Sequence, residues 1–312
     1  MAQPTINDVQ AVDPILTNML IGYLQNASRF IAGRLFPSVN VDKDSGTYYI
    51  LSKKYWFLDV LEQRAPGSPF ADIGFGVETS TYTTLQWAAQ EAIADEIRAN
   101  SQLPLDLESV AVQHLANLSS IRKERALSAD FFVTGVWGTD DTTATDWDDF
   151  ASGDPFNDIM TAKRTISDNT GMDGNTLAVG YVVHQALTLH PDIIDRLKYT
   201  QVAGMSAVEA GIGSLLDVNY LVSKASYNSA NEAATFVGVA IIDDDALVCH
   251  VNAGAGVMGA TAGKTFVWQP GGGNGSIYRD RDTNHRDLIQ FKEQWDQTAV
   301  ATDLGYFFSG IV

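Results

Sequence analysis

The sequence predicts an α+β fold, and two observations support this prediction. One long uninterrupted segment carries apolar residues at helical spacing, whereas segments rich in aromatic and β-branched residues, which favour strands, lie in both halves of the chain. The chain has 312 residues, of which 45% are hydrophobic. This length suits two compact lobes, or one domain with long excursions.

Charge and cysteine content exclude several classes of protein. Acidic residues number 38 against 20 basic ones, so the formal net charge is -18. Such a surface repels nucleic-acid phosphates and anionic lipids, which argues against sequence-specific DNA binding. The single Cys249 excludes an intrachain disulfide and a cysteine-cluster metal site. No membrane span and no secretion signal can be identified, so we expect a protein made and kept in a cytosol.

The first hundred residues predict a helix followed by a two-stranded ribbon. An amphipathic pattern over 15–31 predicts a helix that ends at Gly33 and Pro37. From 39 to about 90, YYILSKKYWFLDVLEQR and ETSTYTTLQW predict two long strands, joined by the breaker-rich loop APGSPFADIGFG. A two-stranded ribbon alone is marginally stable in water, so we expect it to lie on another surface.

A long helix and an acidic segment follow the ribbon. LPLDLESVAVQHLANLSSIRKERALSADFF predicts the longest helix, of about 25 residues or roughly 38 Å, with Pro104 near its start and no glycine before Gly135. The segment 139–158 contains seven aspartates and no lysine or arginine. Its threonine and glycine content predicts an exposed loop.

Helices and strands alternate from about 155 to 270, which predicts a mixed α/β lobe. Asp154 before Pro155, and Gly171, frame a helix over PFNDIMTAKRTISDNT. LAVGYVV predicts a strand, HQALTLHPDIIDRLKYT a helix interrupted at Pro191, and VEAGIGSLL a short helix. Further strands are predicted at VNYLVS, TFVGVAII, ALVCHV, FVWQP and within DLIQFKEQWDQTAVATDLGYFFSGIV.

The glycine-rich stretch VNAGAGVMGATAGKT partly matches two nucleotide-binding motifs. Gly254, Gly256 and Gly259 fit G-x-G-x-x-G, but β-branched, aromatic and proline residues follow where that motif requires a helix. The stretch ends in G-K-T like a phosphate-binding loop, but Met258 occupies the position of that loop's first glycine. A glycine-rich hairpin or loop is the preferred interpretation. The alternative is a nucleotide-binding α/β enzyme using residues 254–265.

No catalytic, cofactor or metal site is predicted. Three consecutive aspartates, from Asp243 to Asp245, cannot all face one side of a strand, and a solvated turn is expected there. The aspartates of 139–158 lack the spacing of a calcium loop. Cys249 lies in an apolar strand pattern, where a buried thiol is expected. The histidines form no zinc-binding spacing; they are His114, His184, His190, His250 and His285.

The order of these segments resembles the major capsid protein of tailed bacteriophages, which has the Hong Kong 97-type capsid fold. The stretches that carry the resemblance are DPILTNMLIGYLQNASRFIAGRLFPSVNV, QEAIADEIRANSQLPLDLESVAVQHL, RKERALSADFFVTGVW and VVHQALTLHPDIIDRLKYT. The resemblance implies an N-terminal arm at 1–38 and an extended loop, a β-hairpin, at 39–98. It further implies a peripheral domain with a spine helix at 99–152 and 272–312, and an axial domain at 153–271.

The resemblance also implies a function: self-assembly through hexamers and pentamers into the icosahedral shell around the double-stranded DNA of a tailed bacteriophage. The implied location is the virion, after assembly in the host cytoplasm. Implied partners are copies of the chain, a portal protein at one vertex, a decoration protein in some members, and DNA bound without sequence specificity. Because the chain starts almost directly at the arm, a separate scaffolding protein is expected. Some members crosslink through a loop lysine, but Lys53 and Lys54 are expected to be ion-pair partners.

The composition of the ribbon points to the same function independently. Its aromatic residues offer more apolar surface than an isolated ribbon can bury, so we expect a neighbouring subunit to cover it. Such an interface would be head to tail and would close as a ring. The aromatic residues are Tyr48, Tyr49, Tyr55, Trp56, Phe57, Phe70, Phe75, Tyr82 and Trp87.

Overall fold

The computed structural model describes residues 25–51, 53–61, 63, 64, 66, 67, 70, 72–74, 76–100, 107–197, 205–231, 234–254, 256 and 259–312. Within them, the helices are α1 (Ala32–Leu35), α2 (Lys53–Trp56), α3 (Asp95–Asn100), α4 (Leu107–Phe131), α5 (Pro155–Thr170), α6 (Tyr181–Leu189), α7 (Pro191–Leu197) and α8 (Met205–Leu216). The strands are β1 (Ser38–Val41), β2 (Ser45–Leu51), β3 (Val77–Thr83), β4 (Leu85–Ala94), β5 (Thr139–Asp141), β6 (Thr176–Val179), β7 (Asn219–Val222), β8 (Ser226–Asn228), β9 (Gly238–Ala240), β10 (Ala246–Cys249), β11 (Gly263–Trp268), β12 (Ser276–Asp282), β13 (Arg286–Ala299) and β14 (Gly305–Phe308). None of these helices is long and apolar enough to cross a membrane.

The first sheet is built around the long strand β13. Its order is β1-β11-β13-β12, and β4 also pairs with β13, antiparallel, through ten residue pairs. Helix α4 lies across this sheet. Ala111 and Leu115, one turn apart on α4, pack against Ile93 of β4 and Ile289 of β13. The first half of the long helix therefore buries its apolar residues against this sheet, whereas Leu127 and Phe131 near its end belong to the main core.

The second sheet carries the main core of the described residues. Its order is β5-β14-β10-β6-β7. Strands β6, β10 and β14 are buried along their whole length, as expected for strands covered on both faces. Helix α5 supplies Ile159, Ala162 and Ile166 to this core. The architecture of the described residues is thus α+β, as predicted, with two five-stranded sheets, two two-stranded sheets and one long helix.

Helix boundaries set by capping residues were predicted well. Helix α4 has 25 residues, the predicted length; Pro104 lies outside the described residues. Helix α5 covers Pro155–Thr170 as predicted. The Asp154 side chain accepts a hydrogen bond from the Asn157 amide at 3.0 Å, and Gly171 ends the helix in the left-handed conformation, with φ of 67°.

Three strand predictions were too long. The ribbon strand ends at Leu51, and α2 follows where KKYW was predicted as strand. TFVGVAII contributes only β9. Within LAVGYVV the strand ends at Val179, and Gly180 is the N-cap residue of α6. A Cβ atom at Gly180 would lie 1.9 Å from the carbonyl oxygen of Asp243, so glycine is required by this close approach.

Other parts of the chain also differ from the predictions. The predicted N-terminal helix lies mostly outside the described residues; its described end forms a 3-10 turn at Ala27–Arg29 and then α1, which includes Gly33. The acidic segment 139–158 is not only a loop, because it contains β5 and the fully buried Trp147. Strands β8 and β12 were not predicted, since their sequences are polar.

Strand pairing crosses the predicted domain segments. Strand β11 belongs to the segment 153–271, yet it pairs with β13 of the segment 272–312. Strand β14 comes from a predicted peripheral segment, yet it pairs with β10 of the segment 153–271. Apolar strands that are distant in the sequence meet because each completes a buried sheet.

Candidate functional site

The base of the ribbon packs on its own chain. Strands β2 and β3 pair antiparallel from Ser45↔Thr83 to Leu51↔Val77. Tyr82 stacks on Phe266 of β11 with ring centroids 4.6 Å apart, and Tyr48 lies 5.6 Å from the same ring. The two tyrosines therefore do not need a neighbouring subunit to cover them, which corrects that part of the prediction.

The tip of the ribbon leaves large apolar side chains exposed. Leu61 is 87% exposed and Phe70 is 82% exposed. Many large exposed apolar side chains within one segment are typical of an interaction surface rather than of ordinary scattered exposure. We call this set the ribbon-tip surface; its members are Tyr49, Tyr55, Trp56, Phe57, Leu58, Leu61, Phe70 and Ile73. Phe75, from the predicted aromatic set, lies outside the described residues.

The ribbon touches its own chain without being covered by it. The Lys53 ammonium lies 2.6 Å from a carboxylate oxygen of Asp303, so this lysine is an ion-pair partner as expected. Both side chains are exposed to water, and an exposed pair of this kind contributes little to stability. The ring of Phe57 lies over Gly171, yet Phe57 stays 63% exposed. The ribbon-tip surface thus remains available to another molecule.

Trp87, the last aromatic residue of the predicted set, is held within the first sheet. Its ring stacks on Trp295 with centroids 5.7 Å apart. The guanidinium group of Arg122, from α4, lies 4.0 Å from the centre of the Trp87 ring and forms a cation–π contact with it. Trp87 therefore joins the long helix to the sheet and is not part of the ribbon-tip surface.

In its described residues, 254, 256 and 259–265, the glycine-rich stretch leads into a strand. Residues Gly263 to Trp268 form β11 where a nucleotide-binding motif would need a helix. Lys264 is buried in this strand, and its ammonium group donates a hydrogen bond to the Gly259 carbonyl at 2.8 Å. The Lys264 ammonium group is thus hydrogen-bonded within the glycine-rich stretch itself, which supports the interpretation of this stretch as a turn.

The Asp243–Asp245 run is a turn, as predicted, with one structural role. Asp243 and Asp244 are exposed, whereas Asp245 is half-buried and accepts a hydrogen bond from the Gly310 amide at 3.0 Å. Burial, together with the smaller effect of the neighbouring Asp244 and Asp243 charges, raises the pKa of Asp245 to about 6. This carboxylate holds the last residues of the chain against the turn.

His184, His190 and Cys249 are buried and have structural roles. His184 Nδ1 lies 3.0 Å from the Tyr220 hydroxyl, and burial lowers the pKa of His184. His190 Nδ1 accepts from the Asp192 amide at the start of α7. Cys249 is fully buried, and this burial raises the pKa of its thiol, which makes it unreactive. Among the described residues, no group of three or more His, Cys, Asp or Glu side chains could hold a metal ion.

One buried carboxylate was missed by the sequence analysis. Glu124 of α4 is 0% exposed and accepts hydrogen bonds from the backbone amides of Ile31 and Ala32 and from the Ser223 hydroxyl. The helical pattern gave a usable signal, because Glu124 lies three residues before Leu127 and seven before Phe131, both buried. An acidic residue on the apolar side of a helix requires buried donors.

Comparison with known proteins supports the same fold. No family model matches the chain. The major capsid protein of Burkholderia phage BcepMu is 27% identical to it over 202 residues, which cover 62% of this chain and 63% of that relative. The match therefore spans less than two thirds of the curated relative.

Solved structures match over nearly the whole chain. A phage-related protein from Bordetella bronchiseptica has a TM-score of 0.71 and 23% identity, covering 96% of this chain and 97% of that structure. The capsid structure of cyanophage P-SCSP1u gives a TM-score of 0.59 and 14% identity, with coverage of 92% and 90%. The fold is thus that of a viral shell protein. More specifically, it is the Hong Kong 97-type fold of phage capsids.

Proposed function

We propose that this chain is a major capsid protein, which self-assembles through hexamers and pentamers into an icosahedral shell. The observation that supports this most directly is the ribbon-tip surface, because its large apolar side chains stay exposed to water. In a monomer such an apolar surface stays exposed to water, which is unfavourable, whereas in a repeating assembly each copy buries it against a neighbour. The fold and the curated relative support the same function.

The assembly contact is head to tail. The ribbon tip of one copy lies on a different surface of the next copy, and repetition of that contact by rotation closes a ring. Each large apolar side chain that becomes buried contributes about 1.5–3 kcal/mol before the entropic cost of association is subtracted. The ribbon-tip surface supplies several such side chains, so an interface built on it can be stable.

The segments of the chain take the roles that the fold implies. Residues 1–38 are the arm, 39–98 the extended loop, 99–152 with 272–312 the peripheral domain, and 153–271 the axial domain. We propose that the shell encloses double-stranded DNA of a tailed bacteriophage and that it is part of the virion, after assembly in the host cytoplasm. The net charge of -18 supports a wall that does not bind DNA strongly while it fills.

The remaining partners belong to the same proposal. A separate scaffolding protein acts during assembly, a portal protein occupies one vertex, and a decoration protein is a further candidate partner of the finished shell. The chain is proposed to be structural rather than enzymatic. The nucleotide-binding alternative finds no support, because Lys264 is buried and bonded to Gly259 and because a strand follows the loop.

Electron microscopy and sedimentation of the purified full chain test this proposal. We expect shells, rings or capsomers, and a stable monomer under all conditions would contradict the proposal. Leu61→Asp places a charge on the most exposed apolar position of the ribbon-tip surface and should prevent assembly, since burial of an unpaired charge is costly. Leu61→Met is the matched control; it keeps an apolar side chain and should still assemble.

A further inference from the structure

The segment that contains β9 leaves a run of consecutive residues exposed. Residues 234–239 are all exposed, and among them Phe236 is 70%, Val237 50% and Val239 39% exposed. From 233 to 242 the sequence reads AATFVGVAII and contains no charged residue, although the whole chain has a net charge of -18. A run of exposed apolar residues is unfavourable in water unless another molecule covers it, so this segment is a second candidate for an interaction surface.

Strand β9 has one backbone edge that pairs with β8 and one that does not. The two strands pair antiparallel, and in the described part of the chain no further strand joins their sheet. The Ser229 amide donates to the Val237 carbonyl at 2.9 Å, so Val237 faces β8. Because the backbone groups of successive residues alternate in direction, Phe236, Gly238 and Ala240 direct their amide and carbonyl groups to the outer edge. Such an edge is a template for another strand.

The outer edge of β8, by contrast, is occupied by its own chain. The Gln25 side chain binds Ser226 in both directions: its amide nitrogen donates to the Ser226 carbonyl at 2.6 Å, and its oxygen accepts from the Ser226 amide at 3.1 Å. The Lys224 amide donates to the Arg29 carbonyl at 3.2 Å. The small sheet can therefore be extended only on its β9 side.

A groove with apolar walls and basic residues adjoins β9. It has a volume of about 370 Å³, and Tyr181, Phe236 and Val239 contribute its apolar lining. Arg29 and Lys224 also line it, and no acidic residue is among its lining residues within the described ranges. The charge of the groove is thus opposite to the net charge of the chain, and acidic side chains of another copy are attracted to it.

We infer that the outer edge of β9 binds an extended segment of a second copy of this chain by strand addition. The inference rests on the proposed self-assembly and adds to it a contact separate from the ribbon-tip surface. Charge favours a copy as the occupant, because two chains of net charge -18 repel each other except where uncharged or basic surface is exposed. The segment 233–242 and the adjoining groove supply both kinds of surface. Backbone hydrogen bonds to the edge give affinity, and the side chains of Phe236 and Val239 add apolar contacts.

Hydrogen exchange at single-amide resolution, compared between the assembled and the dilute full chain, tests this inference. An added strand bonds the outward amides of Phe236, Gly238 and Ala240, which should exchange about tenfold more slowly or less in the assembled chain. The Val237 amide already donates to the Asn228 side chain at 3.0 Å; it is the internal control and should change little.

The outcomes separate this inference from the proposed function. If the chain assembles and the three outward amides exchange as fast as in the dilute chain, this inference alone is overturned. If the chain never assembles, both are overturned. Equal slowing at Val237 and at its two neighbours also contradicts strand addition, because burial by side chains alone does not alternate along the backbone.

A proline substitution tests the same edge through assembly itself. Ala240→Pro removes one outward amide and leaves the amides that face β8, and proline is tolerated where the amide of an edge strand faces solvent. It should raise the concentration required for assembly by about fivefold or more, which corresponds to one lost hydrogen bond. Ala240→Ser keeps the amide and is the matched control. Assembly of both variants at the same concentration would overturn the inference, and the exchange measurement needs no variant if Ala240→Pro does not fold.

Discussion

The Glu124 carboxylate accepts a hydrogen bond from the Ala32 amide at 2.9 Å. The same group accepts from the Ile31 amide at 3.0 Å and from the Ser223 hydroxyl at 2.8 Å. Glu124 belongs to α4, Ile31 and Ala32 lie at the start of α1, and Ser223 directly follows β7. One side chain therefore joins three parts of the fold that lie far apart in the sequence.

Glu124→Ala should lower the free energy of unfolding by roughly 3–5 kcal/mol, because three buried donors lose their acceptor. Ser223→Ala removes one donor and leaves the carboxylate with the other two, so it should cost only about 1 kcal/mol. Chemical denaturation measures both, and hydrogen exchange at Ile31 and Ala32 reports the release of α1 from α4. Equal stability of Glu124→Ala and the unmodified chain would contradict this role.

Stability should depend on pH through Asp245. Burial raises its folded-state pKa to about 6, above its usual range, so the protonated form is favoured in the folded protein. Its contribution is therefore fully present below the pKa of the unfolded chain and is lost as pH rises through about 6. Asp245→Asn should raise stability at pH 8 by on the order of 1 kcal/mol, after allowance for partial exposure.

Thermal unfolding at pH 5 and pH 8 measures this effect. The unmodified chain should lose stability between these values, and Asp245→Asn should lose less. Asp168→Asn is the control, since Asp168 is an exposed member of a surface ion pair with Arg164. An unchanged pH dependence in Asp245→Asn would show that another group is responsible.

Substitution of two adjacent tyrosines on β2 should affect two different properties, the stability of the chain and its assembly. Tyr48 is 7% exposed and packs near Phe266, whereas Tyr49 is 71% exposed on the other face of the strand. Tyr48→Ala should lower the stability of the single chain by about 3 kcal/mol. Tyr49→Ala should leave that stability within about 0.5 kcal/mol and weaken assembly instead. Denaturation curves and sedimentation of both variants separate the two effects, and the reverse assignment would contradict the ribbon-tip interface.

Two glycines should respond differently to an added methyl group. Gly180→Ala should destabilise the fold by at least about 3 kcal/mol, since its Cβ would meet the backbone oxygen of Asp243 at 1.9 Å. Gly33→Ala lies in α1 with no atom within 4 Å of the new Cβ, so it should stabilise by about 0.5–1 kcal/mol. Melting temperatures of the two variants, compared with the unmodified chain, test the predicted destabilisation by Gly180→Ala and the predicted stabilisation by Gly33→Ala.

Local signals made the helices predictable. Helix α5 was delimited correctly because Asp154, Pro155 and Gly171 act through their own backbone geometry and need no tertiary partner. The strand predicted over LAVGYVV failed for the opposite reason. Its end at Val179 is imposed by the approach of Asp243 from a distant turn, which the sequence does not display.

The interaction surface was only partly predictable. The aromatic content indicated a ribbon with a large apolar surface suited to association, and the ribbon tip is exposed as expected. The sequence could not distinguish Tyr48 and Tyr82, which are covered by Phe266, from Tyr49, because this depends on the distant strand β11. Glu124 was overlooked for a related reason, since its donors come from residues about ninety positions away.

The junction at Thr84 has a mechanical consequence. Strand β3 of the ribbon passes through this single residue into β4, and β4 is bonded to β13 through ten residue pairs. A pull on the ribbon tip along the strand axis therefore enters the first sheet in shear. All ten pairs then share the load at once, whereas a pull across the sheet would unzip them one after another.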